Sequence, residues 1–129
     1  MSKQIIGYCY VVGDILHKGH ILFLQNCKAL CDKLICGVLT DKAVMEKKSK
    51  PTLTFDERIE LIKSIKYVDV VVVQEEYLPT RNCNLIKPDI LFESSDHKQW
   101  GNNEDRKVIG LPYYPNYSSS EIKKRIKDE

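Results

Sequence analysis

The chain has 129 residues, 43% of them hydrophobic and 29% charged, with a formal net charge of +2. That length suits one domain with a single core, and the near-balance of charge gives no ground for nucleic-acid or membrane-surface binding. No apolar run approaches a membrane span, Met1-Ser2-Lys3-Gln4 leads straight into a strand-like run without a signal-peptide pattern, and Cys9, Cys27, Cys31, Cys36 and Cys83 lack C-x-x-C spacing, which reads as reduced thiols in a cytoplasmic protein with no zinc site and no disulfide.

In chain order, Gln4 to Val12 is nearly continuous in apolar, β-branched and aromatic residues and predicts a central parallel strand. Gly13 to His20 is a turn with two glycines, and Gly19 to Cys31 predicts the first helix. A strand, a glycine turn and a helix N-terminus present free backbone N–H groups and the positive end of a helix dipole to an anion. His17 and His20 lie three residues apart at that turn. With Gly19 in the turn and His20 in the first helical position, both imidazoles face the same bound oxygens. N–H donors there stabilise charge that grows during phosphoryl chemistry. Chance histidines at a helix start are common; their place after the first strand of an α/β pattern, where ligands gather, favours function.

Leu34 to Leu39 predicts the second strand, ending in Thr40-Asp41, and completes a βαβ unit. Asp41 to Met45 reads as a short helical turn. The basic loop Glu46-Lys47-Lys48-Ser49-Lys50-Pro51 then falls at the same sheet edge as the histidines, where a lysine reaches a triphosphate. Thr54-Phe55-Asp56-Glu57 is a capping box, and its helix carries Ile59, Ile62 and Ile65 on one face. Arg58 in the first turn opposes the helix dipole, which reads either as a functional demand or as a surface salt bridge. Val68 to Gln74 predicts strand three, Glu75 to Asn84 a loop, Leu85 to Pro88 the end of a short helix, and Asp89 to Phe92 strand four. Glu93 to Glu104 is polar and loop-like. Val108 to Tyr114 predicts strand five, and a second capping box, Ser118 to Glu121, opens a short basic helix from Ser120 to about Lys127. The sum is an α/β fold: a Rossmann-like, five-stranded, mostly parallel sheet with helices on both faces, in one domain spanning 1–129 without repeats.

The His-x-Gly-His turn after the first strand, with Asp14 three residues before His17, resembles the signature of the nucleotidyltransferases. That family includes glycerol-3-phosphate, phosphocholine and phosphonate cytidylyltransferases, and adenylyltransferases such as the heptose-phosphate enzyme. The resemblance runs along the chain, through Thr40-Asp41-Lys42-Ala43-Val44, Lys50-Pro51, Phe55-Asp56-Glu57-Arg58, Ile65 to Val71, Lys87-Pro88-Asp89-Ile90-Leu91 and Tyr117 to Ile122. It implies that a substrate phosphate or phosphonate oxygen attacks the α-phosphorus of a nucleoside triphosphate and pyrophosphate leaves, with no covalent intermediate. The resemblance assigns His17, His20, Lys47 or Lys48, and Asp14 to catalysis, the lysine register being open by one residue. It assigns Val11, Val12, Gly13, Asp96, Tyr117, Ser118, Ser119 and Ser120, with both histidines, to the nucleotide. Asp14, Asp41, Arg58 and Tyr113 fall to the second substrate. Magnesium is expected with the triphosphate, no metal being held by protein ligands alone, and the resemblance implies a homodimer.

The chain departs from the family pattern at three places. Val11 stands where the family has glycine and Gly13 where it usually has an aromatic; Ser94-Ser95-Asp96-His97 replaces a G-D-D-W segment; Tyr113 replaces an arginine. Pro112-Tyr113 resembles the phosphonate-type cytidylyltransferases. The reading on sequence is a CTP-dependent cytidylyltransferase acting on a small phosphorylated or phosphonate substrate. The alternatives are an ATP-dependent adenylyltransferase acting on a sugar phosphate, and a nucleotide-binding module with impaired catalysis.

Overall fold

A computed structural model describes residues 3–94 and 107–111. The elements in order are β1 (Ile6–Val11), α1 (Lys18–Ala29), β2 (Lys33–Leu39), α2 (Asp41–Met45), α3 (Phe55–Lys63), β3 (Val70–Gln74), α4 (Thr80–Ile86), β4 (Ile90–Ser94) and β5 (Lys107–Leu111). They build one sheet in the order β3-β2-β1-β4-β5. Every pairing is parallel, with Cys9 opposite Cys36, Ile35 opposite Val70, Gly7 opposite Ile90 and Leu91 opposite Val108. The order reverses between β1 and β4, so the crevice beyond their C-terminal ends is where such a sheet takes ligands.

Strand alternation sorts side chains to two faces. Cys9, Val11, Leu34, Cys36, Val38, Ile90, Phe92 and Leu111 pack with Leu24 and Cys27 of α1, Ile62 of α3 and Ile65 just beyond it. Tyr8, Tyr10, Leu39 and Leu91 pack on the other face with Ala43 and Val44 of α2 and Cys83 of α4. The second face is the more polar. Buried Tyr8 donates its hydroxyl hydrogen to Gln74 Oε1, Asn82 Nδ2 donates to Tyr8 Oη at 3.0 Å, and Tyr10 donates to Glu93 Oε2 at 2.6 Å. Gly37 lies directly beneath the Tyr8 hydroxyl, where a Cβ would collide with it.

At the N-terminal edge of the sheet, three aspartates act as staples. Asp32 accepts from Ile5 N at 2.7 Å, Asp89 from Ile6 N at 2.8 Å and Asp69 from Leu34 N at 2.8 Å. Each carboxylate thus takes a backbone donor near the start of an adjacent strand. The Ile6 N–H, with Lys3 behind it, holds the Asp89 carboxyl below its ordinary range. Burial works against ionisation of Asp69, but Lys28 and the Leu34 N–H outweigh it and its carboxyl is also lowered.

Some boundaries differ from expectation, each for a local reason. The first helix starts at Lys18 because His17 takes the N-cap. Strand three starts at Val70, since Asp69 turns its side chain to Leu34 and Lys28. Much of the stretch expected as a loop before Asn84 is α4: Pro79 precedes it at φ −79°, a value suited to a helix start, and Lys87 closes it at φ 54° ahead of Pro88. All five cysteines are free thiols, four of them buried. Among the described residues no helix is long and apolar enough to cross a membrane. The end of strand five, the second capping box and the terminal helix lie outside the described residues.

Candidate active site

The site grows from the C-terminal end of β1. Gly13 has φ +74°, a conformation that disfavours any side chain, and a Cβ there would lie 3.3 Å from Ile62 Cγ1. This turn brings Asp14 inward, 7% exposed. Its carboxylate accepts from Thr52 N at 3.0 Å and from Leu53 N at 2.9 Å. Asp14 therefore ties the β1–α1 turn to the segment just beyond the lysine loop.

His17 is the N-cap of α1, in extended conformation, and His20 occupies the third helical position. His20 is thus not first in the helix, as the sequence suggested, and Gly19 lies inside it. The spacing still joins the two rings, because it is that of a capping box. His17 Nδ1 accepts from Gly19 N at 3.1 Å, and His20 Nδ1 accepts from His17 N at 3.2 Å. The ring centroids are 4.0 Å apart with planes inclined at 48°. An Nδ1 that accepts carries no proton, so each neutral ring holds its hydrogen on Nε2. Burial lowers the His17 pKa; burial and then the charge of His17 lower that of His20 to about 4. Near neutral pH the pair is two uncharged imidazoles, the hydrogen of each on Nε2. The first turn of α1 contains no acidic residue to compete with an anion.

Arg58 is placed differently from the expected substrate-binding cation. Its side chain is fully buried. Nη1 donates to Val12 O at 2.6 Å and to Leu39 O at 2.7 Å, and Nη2 meets Asp41 Oδ1 at 2.6 Å. Its Cζ lies 5.4 Å from the Phe55 ring centroid. The guanidinium clamps the C-terminal ends of β1 and β2 to the start of α2, and the strand carbonyls meet a cation that the α3 dipole alone would oppose. Asp41, expected to face the second substrate, gives Oδ1 to this clamp, and Val12 gives its carbonyl. The Val11 side chain belongs to the core beneath α1 and α3, leaving only its backbone near the crevice.

Lys47 and Lys48 are exposed just after α2, and both donate backbone N–H groups to Val44 O, at 3.1 and 2.9 Å. Asp96, Tyr113, Tyr117, Ser118, Ser119 and Ser120 lie outside the described residues. Sequence reasoning missed three things here: the Thr52 and Leu53 amides that fix Asp14, the bond from Tyr77 N to Glu46 Oε2 at 3.1 Å, and the network around Tyr8. Gly37, lone in an apolar strand, was the one visible sign of that network, because an interior strand glycine often marks a close approach.

Known proteins resemble this chain in sequence and in fold. The family model for cytidylyltransferase-like proteins matches residues 12–125. The bifunctional protein HldE of Helicobacter pylori strain P12 is 36% identical over 132 residues, covering 98% of this chain and 29% of that protein. HldE of Campylobacter jejuni strain RM1221 is 34% identical over 121 residues, covering 90% of this chain and 26% of its own length. This chain therefore spans less than a third of these relatives. The crystal structure of a lipopolysaccharide core biosynthesis protein from Thermoplasma volcanium GSS1 superposes with a TM-score of 0.76 at 27% identity, over 87% of this chain and 99% of that one. A pantoate-beta-alanine ligase from Francisella tularensis, with a TM-score of 0.65 at 17% identity over 96% of this chain and 66% of its own, shares the fold.

Proposed function

Because the chain belongs to the cytidylyltransferase-like family of nucleotidyltransferases, we propose that it transfers a nucleotidyl group from ATP to a small sugar phosphate. A phosphate oxygen of the acceptor attacks the α-phosphorus, the bond to the β-phosphate breaks, and pyrophosphate leaves. The observation that carries this reading is the histidine capping box, which engages Nδ1 of each ring and so sets the hydrogen of each neutral imidazole on Nε2, beside a helix N-terminus at the ligand end of the sheet. The magnesium–triphosphate complex is the substrate. In this reading His17 and His20 hold its phosphates and stabilise the charge that builds on them. Lys47 or Lys48 neutralises the α-phosphate and the incoming oxygen. Asp14 keeps the turn and the lysine loop in register, and Gly13 and the backbone of Val11 and Val12 line the approach to the nucleotide. Asp96, Tyr113, Tyr117 and Ser118 to Ser120 complete the nucleotide and acceptor contacts that the family pattern assigns. No proton has to pass through the histidines, since an acceptor phosphate brings an ionised oxygen of its own. The work is positioning and electrostatic stabilisation.

The HldE relatives support ATP over the CTP that the sequence first suggested. The cytidylyl reading remains the second, supported by the family model itself. The chain acts in this reading as a single nucleotidyltransferase domain, in the cytoplasm and as a homodimer. Thermal shifts with ATP, CTP, GTP and UTP in magnesium test the nucleotide, because a ligand bound only by the folded state raises its melting temperature by mass action. ATP alone should shift it, and pyrophosphate release should then follow on adding a hexose or heptose 1-phosphate. A shift with CTP alone would transfer the assignment to the cytidylyl reading. Binding without pyrophosphate release across the acceptor panel would favour the impaired nucleotide-binding module. Light scattering tests the dimer.

A further inference from the structure

The lysine loop is held more firmly than a charged surface loop requires. Residues 46–51 carry Lys47, Lys48 and Lys50, all exposed, and three like charges so close repel one another. Both ends are nevertheless anchored. At the start, the backbone N–H groups of Lys47 and Lys48 close on Val44 O. At the far end Pro51 is buried, and the Thr52 and Leu53 amides rest on Asp14.

A third anchor comes from the side. Glu46 Oε2 accepts from Tyr77 N at 3.1 Å, across the gap to the β3–α4 connection. That connection is itself rigidly built. Gln74, 1% exposed, donates from Nε2 to Glu76 O at 3.1 Å and to Tyr77 O at 3.2 Å. Its Oε1 receives the Tyr8 hydroxyl, and Asn82 holds both Tyr8 Oη and Val73 O. A continuous chain of hydrogen bonds thus runs from the middle of β1 to the root of the lysine loop. Folding does not need its last link. Helix α2 is already closed by the Thr40 side chain on Ala43 N at 3.1 Å and by the Val44 carbonyl. Glu46 is exposed, yet it takes a backbone amide and joins none of the ion pairs among the described residues, although Lys42, Lys47, Lys48 and Lys50 are near in sequence.

We propose that Glu46 is a positioning residue for Lys47 and Lys48: its carboxylate locks the lysine loop to the β3–α4 connection, so that the ammonium groups meet a triphosphate already in place. The role assigned to the lysines rests on the function proposed above; the mechanical lock does not. Preorganisation of this kind strengthens binding by removing the entropy cost of ordering the loop.

Glu46→Ala and Glu46→Gln test it. Hydrogen exchange of the free protein comes first. Glu46→Ala should speed exchange together in 46–51 and 75–78, and Glu46→Gln, whose amide oxygen can still accept from Tyr77 N, should restore most of the protection. The melting temperature should barely move. Magnesium–ATP is the probe for the second arm. Positioning predicts that Glu46→Ala weakens its binding about fivefold, the worth of one ordinary hydrogen bond, with KM moving more than kcat, and that Glu46→Gln stays close to wild type. A purely electrostatic role predicts the reverse: both variants remove a negative charge beside the lysines and both bind more tightly. Unchanged exchange in Glu46→Ala, or tighter binding by both variants, overturns the proposal. If the wild-type protein binds no nucleotide, the proposed function fails, and the exchange arm still decides whether Glu46 locks the loop.

Discussion

Gly37→Ala should be unusually damaging for the addition of one methyl group. The new Cβ would collide with the Tyr8 hydroxyl and sit 2.9 Å from Tyr8 Cζ and 3.0 Å from Gln74 Oε1. Tyr8 is fully buried and has nowhere to retreat without leaving Gln74 and Asn82. Overpacking a closed core costs about 1–3 kcal/mol, and leaving buried amide groups without their hydroxyl partner costs about 1–3 kcal/mol more. Replacing glycine lowers the entropy of the unfolded chain and returns about 0.4–1 kcal/mol. The net loss is about 3 kcal/mol, a large share of a stability of about 5–15 kcal/mol. Urea denaturation of Gly37→Ala, Tyr8→Phe and the double variant measures it. Tyr8→Phe alone should destabilise by about 1–2 kcal/mol through the unsatisfied amides. The double variant should be less destabilised than the two losses combined, because the phenyl ring no longer brings an oxygen to the new methyl group. A coupling below about 0.5 kcal/mol would refute the collision as the cause.

His17→Asn should keep the cap of α1 and His17→Ala should lose about 1 kcal/mol of stability, while both lower turnover by about 2–4 kcal/mol of transition-state stabilisation; a His17→Asn enzyme of normal turnover would remove the Nε2–H donor from the mechanism. For His20, the folded pKa of about 4 lies below the unfolded 6.5, so the unfolded chain binds the extra proton in between. Stability should therefore fall as pH drops from about 6.5 to about 4, by up to about 3 kcal/mol, and urea midpoints of His20→Gln should show a flatter slope over that window. Arg58→Met should cost about 2–3 kcal/mol by stranding the Val12 and Leu39 carbonyls, whereas Asp41→Asn, at a side chain 37% exposed, should cost under about 1 kcal/mol. Equal losses in chemical denaturation would shift the weight of the clamp from the carbonyls to the ion pair.

The sequence carried the frame of this molecule and the approach to its site. β1 and β2 are unbroken apolar runs, and such runs become central parallel strands almost regardless of context. Thr54 and Glu57 announced α3 through a local bond that needs no tertiary partner. The His17–His20 spacing brought the two rings together for the same reason, through the local bonds of a capping box. Failures came where distant parts of the chain decide. α4 has seven residues, too few for a helical period to register, and relies on Cys83 packing beneath it. Arg58 was legible as a cation in a first turn, but the direction of a long side chain follows from what lies beneath it. Here that was a pair of strand carbonyls no spacing rule could supply. Glu46 looked like one more charge in a charged loop until Tyr77 stood opposite.

The three aspartate staples give the sheet a polarity that reaches beyond stability. Asp32, Asp69 and Asp89 each sit beside the first residues of a strand and each bind a backbone amide of a neighbour. Adding or deleting one residue at those strand starts would move the carboxylate off its amide and turn every following side chain to the opposite face. Among the described residues, the connections at the other edge do not set strand register in this way; their ends are held by side chains such as Asp14 and Arg58 that reach across gaps. Length variation among descendants of this fold should therefore collect at the ligand-facing edge and be purged from the stapled one. That leaves new acceptor specificities to arise by loop exchange on a sheet whose register does not change.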